Sequence, residues 1–285
     1  MADRGDIVLV GFDGRPGSRD ALHLGRTVAR ALDEELHVAV ALPYEPLPLP
    51  VEAYDEALEQ HFGQLFAAAA HDLGNEFERR ELRERSPARA LTELAESEPV
   101  DVIVIGSSES CDKGRAVPGK VGERLLTGAP CAVAIAPCGY AGTGDGALRK
   151  VGVAYDGTAE ASRALALGER LARGAGAALR VITVSPTVTV LPSRIGHTGA
   201  GYARALREHF GRVLAEAPGE LTGDIEAELV LGTGQPAATL VEFTSELDLI
   251  VTGSRGYGPV RRALLGGTSS DLVRAARCPV VVTPR

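Results

Sequence analysis

Residues 248–285, DLIVTGSRGYGPVRRALLGGTSSDLVRAARCPVVVTPR, hold the run of this chain best suited to chemistry. An apolar strand pattern ends at Gly253. A glycine-studded loop, Gly253-x2-Gly256-x9-Gly266, then leads into a helix opened by Gly266 and Gly267. Glycine lets backbone N–H groups approach an anion with no Cβ in the way, and a helix N-terminus offers it positive partial charge. Thr268 and Ser269 supply hydroxyls that could donate to a ligand or cap the helix, while Arg255, Arg261 and Arg262 add positive charge. Asp156 ends an earlier strand pattern and could accept hydrogen bonds from a ribose or an adenine edge. Val184 ends the next and could line a base pocket. These residue types suit the grip of a nucleotide. The plainer alternative is that the glycines only make tight turns and that Asp156-Gly157 is an ordinary turn pair.

The elements that would position these residues occur twice. Ile7–Gly14 matches Val151–Gly157, Leu36–Pro43 matches Leu179–Pro186, Ser86–Leu91 matches Gln235–Leu240, and Val100–Ser107 matches Leu247–Ser254. From Gly106 onward the halves align without a gap at an offset of 147, through Leu125–Pro137 and Leu272–Pro284. Collinear matches of this kind mark a tandem duplication. We expect domains at 1–140 and 150–285, joined by a small, glycine-rich linker at 141–149.

Each half alternates strand and helix patterns: strands at Ile7–Val10 and Val151–Ala154, helices at Arg19–Leu32 and Ala159–Arg173, strands at Leu36–Ala41 and Leu179–Val184. A proline-rich insertion (Pro43–Pro50) or a glycine-rich one (Pro192–Gly201) comes next, then helices at Glu52–Leu73 and Tyr202–Ala217. The third strands, Phe77–Arg83 and Ile225–Leu231, are the weakest. Helices open at Pro87 and Pro236, where proline suits the first turn. Strands at Val102–Ile105 and Leu249–Thr252, a last helix, and strands at Cys131–Ala136 and Pro279–Thr283 complete the units. The alternation predicts α/β architecture: two tandem doubly wound parallel sheets of five strands, with ligands bound beyond the strand C-termini where strand order reverses.

Composition sets the outer limits. The 285 residues are 45% hydrophobic and 24% charged, ordinary for a soluble globular protein. No apolar run approaches a membrane span, and the first residues pass straight into a strand pattern without a leader, so the expected compartment is the cytoplasm. Residues 1–140 carry 24 acids and 14 bases, a net of −10, and residues 141–285 carry 14 and 16, a net of +2. We therefore expect neither nucleic acid nor membrane as a partner, and only the second half suits a polyphosphate. Cys111, Cys131, Cys138 and Cys278 show no zinc spacing and are expected as reduced, mostly buried thiols. The six histidines are scattered. No P-loop lysine, nucleophile elbow or HExxH motif is present, and nothing sets a base against an attacking water, so no catalytic or metal-ligating residue is assigned. Slow ATP hydrolysis is the most that is expected.

The tandem halves, the first strand ending in Asp, and G-x2-G-x9-G followed by small hydroxyl residues resemble the universal stress protein family over nearly the whole chain. The resemblance implies adenine-nucleotide α-hydrolase-like sheets in the order 3-2-1-4-5. It also implies ATP, with Mg²⁺, at Asp156, Val184, Gly253, Arg255, Gly256, Gly266, Gly267, Thr268 and Ser269. Gly267 stands where the family has Ser or Thr, which removes one hydroxyl contact of about 1 kcal/mol. In the first half, Asp13, Ala41, Gly106, Gly119, Lys120 and Val121 form a weaker counterpart. There Glu109 replaces Gly256, Ser108 replaces Arg255, Cys111 replaces Gly258 and Lys120 replaces Gly267. Glu109 brings negative charge to the phosphate cradle, Lys120 could offset it or pair with it in place of a ligand, and weak or absent nucleotide binding is expected there. The alternative is ATP held there by Lys120, Lys113 and Arg115. The implied function is ATP-dependent stress signalling through an unnamed protein partner, with the two fifth strands paired within the chain as a pseudo-dimer or between chains as a homodimer. The rivals are a scaffold without nucleotide and a slow ATP-hydrolysing or adenylyl-transferring enzyme.

Overall fold

The computed structural model describes residues 6–43, 52–109, 111–143, 146–187, 199–254 and 267–284. The chain separates into two compact units, with the division between Ala147 and Leu148. The first contains β1 (Ile7–Gly11), α1 (Pro16–Leu32), β2 (Glu35–Leu42), α2 (Glu52–Leu73), β3 (Glu78–Arg83), α3 (Pro87–Ser97), β4 (Val100–Gly106), α4 (Lys120–Gly128) and β5 (Ala132–Ala136). The second contains β6 (Lys150–Ala154), α5 (Ala159–Ala175), β7 (Ala178–Pro186), α6 (Gly199–Glu216), β8 (Ala227–Gly234), α7 (Pro236–Phe243), β9 (Leu249–Gly253), α8 (Gly267–Ala275) and β10 (Val280–Thr283).

All strand pairs within each unit are parallel. The first unit runs β3-β2-β1-β4-β5 and the second β8-β7-β6-β9-β10. Both are therefore 3-2-1-4-5 sheets. The central strands are apolar runs because helices cover both faces: Val8, Leu9, Val10, Ile103 and Val104, and in the second unit Val151, Val153, Ile250 and Val251, are fully buried. At the edge, β3 reads ERRELR. Its arginines cover aromatic surface on α2, with Arg79 5.5 Å above Phe66 and Arg83 6.0 Å above Phe62. A charged edge strand of this kind resists pairing with another chain.

Three boundaries differ from the sequence expectation by three residues, the others by two at most. Helix α1 starts at Pro16 rather than Arg19, because proline at the first helical position gives up only an N–H that has no helical partner there. Helix α6 starts at Gly199. Strand β8 runs to Gly234, beyond Leu231, because β7 continues to Pro186 and pairs with it there. The cysteine expectation fails for two of four residues. Cys111 and Cys138 form a disulfide, with Cα atoms 6.3 Å apart, because the loop after β4 folds back onto the turn after β5. Cys131 and Cys278 are free. Burial pushes the Cys131 thiol up to about 12 and raises that of Cys278 further, so neither is a reactive thiolate at neutral pH.

Candidate functional site

In each sheet the reversal of strand order between the first and fourth strands opens a crevice at the strand C-termini. In the second unit the crevice holds a cavity of ≈ 200 Å³ among the described residues. Its inner wall is apolar: Ile182, Val184 and Pro186 from β7, Phe210 from α6, Pro236 and Leu240 from α7. Its rim is polar: Asp156, Thr158, Glu160, Gly253, Thr268 and Ser269. An apolar chamber with a hydrogen-bonding rim fits a flat aromatic group carrying a polar tail.

Local chemistry sets the rim. Gly157 follows β6 with φ +75, a conformation that side chains rarely adopt. Asp156 closes the turn: its Oδ1 accepts from the Thr158 N–H at 3.2 Å and from the Thr158 hydroxyl at 2.6 Å. Thr158 then caps α5 by accepting from the Ala161 N–H at 3.3 Å. Beneath Asp156, Tyr155 is buried and donates its hydroxyl to Glu220 at 2.5 Å. Burial, then the Glu220 carboxylate, raises the Tyr155 pKa, so the phenol keeps its proton.

The two ends of the proposed phosphate loop have separate roles. A Cβ on Gly253 would stand 2.7 Å from the backbone carbon and the Cβ of Glu160, so glycine is needed there for α5 to pack on β9. The same holds in the first unit, where a Cβ on Gly106 would overlap the backbone of Gly17. Glycine at this shared position is accounted for by packing. The Ser269 hydroxyl donates to the Gly253 carbonyl at 2.7 Å, tying the start of α8 to the end of β9. Gly267, by contrast, has open space where a Cβ would lie, and Thr268 is half-exposed on the cavity rim. Arg255, Gly256, Gly258, Arg261, Arg262 and Gly266 lie outside the described residues. Among the described residues no group of three or more His, Cys, Asp or Glu side chains could hold a metal ion.

The first-unit crevice is roomier, ≈ 380 Å³, and differently charged. Phe12, Ala39, Ala41, Pro87, Leu91 and Ile105 give its apolar wall. Asp13, Gly106, Gly119, Lys120 and Val121 all line it, so the five strand-end and helix-start residues expected there share one cavity with Ala41. The Asp13 carboxylate accepts from the Arg15 N–H at 3.1 Å, as Asp156 does from Thr158. The sequence expectation offered Lys120 as a counter-charge for Glu109. In the structure Arg15 pairs with Glu109 at 3.1 Å and approaches Asp13 at 3.7 Å. The rim of this crevice thus carries an internal ion pair. The Glu109 loop is held by the Ser107 hydroxyl, which donates to Ala136 and Arg115 carbonyls and accepts from the Val117 N–H.

Sequence reasoning missed Phe210, Glu160 and Arg15. Arg15 and Glu160 had a usable signal, since each follows its Asp-Gly pair within three residues. Phe210 had none, because helical spacing does not say which turn of α6 overlies the strand ends.

Fold and crevices together describe open, doubly wound α/β units, each with a cavity at its strand C-termini. The universal stress protein family model matches residues 6–137 and again 147–284, and the chain belongs to that family. A universal stress protein of Mycobacterium tuberculosis is 27% identical over 291 residues, covering 97% of this chain and 99% of the relative. One from Thermus aquaticus is 35% identical over 133 residues, 46% of this chain and 94% of the relative. The crystal structure of a universal stress protein from Archaeoglobus fulgidus covers 99% of both chains with a TM-score of 0.69 at 22% identity, a likeness of fold. No helix among the described residues is long and apolar enough to cross a membrane.

Proposed function

We propose that the second half binds an adenine nucleotide, ATP with Mg²⁺, and that its occupancy alters the chain's interaction with a protein partner in a cytoplasmic stress response. One observation carries this reading. An apolar chamber at the ends of β6 and β7 opens onto a rim where Asp156 and the start of α8 face the same cavity. The chamber suits a purine and Asp156 a ribose. The start of α8, with Thr268, suits the phosphates. Mg²⁺ fits the rim because Asp156 and Glu160 place carboxylates beside the site, which disfavours a bare triphosphate. When bound, the cation would neutralise phosphate charge. In this reading the nucleotide acts as a ligand rather than as a fuel.

The test is calorimetric titration of the full chain with Mg·ATP, with adenosine and cyclic AMP as competitors, alongside thermal unfolding. Binding to the native state raises the midpoint as RT ln(1 + [L]/Kd). Heat release with a raised midpoint supports the reading. A chain that gives neither is a scaffold without nucleotide, and steady release of phosphate or pyrophosphate would make it an enzyme.

A further inference from the structure

The first-unit crevice combines an ion-paired phosphate end with a disulfide in the loop that builds it. Cys111 lies two residues beyond Glu109, and Cys138 lies two residues beyond β5. Both are half-buried. We propose that the Cys111–Cys138 bond is a reversible thiol switch governing access of a phosphate-bearing ligand to the first-half crevice. The family reading above is used here only to choose the ligand probe.

The surroundings separate what the bond holds from what holds itself. The turn after β5 is fixed without it: buried Asp20 accepts from the Gly139 N–H at 2.7 Å and the Ala141 N–H at 2.8 Å. The base of the Glu109 loop is fixed by the Ser107 hydroxyl and by the Ser108 N–H donating to Val117 at 2.7 Å. Glu109 and Cys111 precede a main-chain pairing that does not need the bond, the Gly114 N–H on the Cys138 carbonyl at 2.8 Å and the Cys138 N–H on the Arg115 carbonyl at 2.9 Å. Ahead of it, besides the disulfide, the Cys111 N–H donates to the Ser108 carbonyl at 3.1 Å and the Asp112 carbonyl accepts from the Arg115 N–H at 3.0 Å. Breaking the bond therefore leaves the sheet intact and frees the segment that carries Glu109. The Arg15–Glu109 pair is solvent-exposed, 65% and 64% by side chain, and an exposed pair contributes at most about 1 kcal/mol. It cannot hold the loop once the covalent tie is gone. With Glu109 released, the rim beside the start of α4 loses one negative charge: Lys120 remains there, and Arg15 keeps only its 3.7 Å approach to Asp13.

The chemistry is ordinary thiol–disulfide exchange with a dithiol reductant. One reductant thiolate attacks a protein sulfur, the protein S–S bond breaks, and a mixed disulfide forms. The second reductant thiolate resolves it, leaving the reductant as a disulfide. Two electrons enter the protein, and the two cysteine sulfurs end as thiols after each takes a proton. In a reducing compartment such bonds are typically transient and sensory rather than structural.

The experiment measures Mg·ATP bound per chain by equilibrium dialysis, with the protein equilibrated in oxidised glutathione or in dithiothreitol, and counts free thiols under denaturing conditions. The expected result is two free thiols and one bound ATP when oxidised, then four free thiols and two bound ATP when reduced. C111S should bind two in either buffer. Trypsin cleavage after Lys113 should rise roughly tenfold or more on reduction, reporting loop release without any ligand. No ATP when oxidised and one when reduced would uphold the switch while removing the second-half reading. One in both states, four free thiols in oxidised glutathione, or unchanged cleavage would overturn the switch.

Discussion

Replacing Thr268 with Glu separates phosphate recognition from base recognition. Thr268 is half-exposed, lines the second-unit cavity and is the second residue of α8. A carboxylate there would stand about 5 Å from a phosphate seated on the helix N-terminus. At an effective dielectric of about 40–80, each unit of like charge costs about 1–1.5 kcal/mol at that distance. Mg·ATP presents about two net negative charges, so the penalty is about 2–3 kcal/mol, or affinity lowered by about thirty- to 150-fold. The same carboxylate favours the helix, by about 0.3–1 kcal/mol, so the variant should fold at least as stably as the parent. Calorimetry with Mg·ATP and with adenosine, plus the thermal midpoint of the free protein, reads all three quantities. ATP should weaken by that factor while adenosine holds its affinity and the midpoint does not fall. Unchanged ATP affinity would place the phosphates away from α8, and equal loss for adenosine would refute the assignment of polar rim and apolar chamber.

Three further outcomes concern the scaffold. Gly106→Ala and Gly253→Ala should both lower the unfolding midpoint, Gly106 more, because its Cβ overlaps backbone while that of Gly253 reaches 2.7 Å; each should cost about 1–3 kcal/mol in chemical denaturation. Glu169→Ala should cost about 2–3 kcal/mol by the same measurement, since that buried carboxylate accepts from the Thr222 N–H at 3.1 Å and the Gly223 N–H at 2.6 Å, and both lose their partner. Asp72 is held below the usual carboxylate range, first by its hydrogen bond from Arg19 at 2.7 Å. A depressed folded-state pKa gives stability that is full above the unfolded value and is lost as pH falls through the folded one. Asp72→Asn should therefore lower stability at pH 7 by about 1 kcal/mol and flatten its fall below about pH 4; a parallel acid limb in wild type and variant would refute this.

The architecture was legible because duplication doubled each signal. Val100–Ser107 and Leu247–Ser254 read as the same buried strand, and the 3-2-1-4-5 order came with the family resemblance. The apolar wall was legible only in part. Val184 and Ala41 sit at strand ends that the pattern marks, whereas Phe210 and Leu240 arrive from helices whose phase over the crevice depends on packing. Gly253 was legible as a glycine but not for its reason, since only the approach of α5 reveals that a Cβ would strike Glu160. The pairing of Cys111 with Cys138 could not be read from a separation of 27 residues. It follows from the loop after β4 meeting the turn after β5, and the exchange of Lys120 for Arg15 as the partner of Glu109 likewise depends on how the chain folds back after β1 and β4.

The account stands most directly on where an adenine ring rests. Photolabelling the oxidised chain with an 8-azido-adenine nucleotide, followed by peptide mapping, locates it. We predict labelled peptides from β7, α6 or α7, carrying Val184, Phe210 or Leu240, with protection by excess Mg·ATP. Labelling confined to residues 6–137, or none that Mg·ATP prevents, would contradict a nucleotide site in the second half.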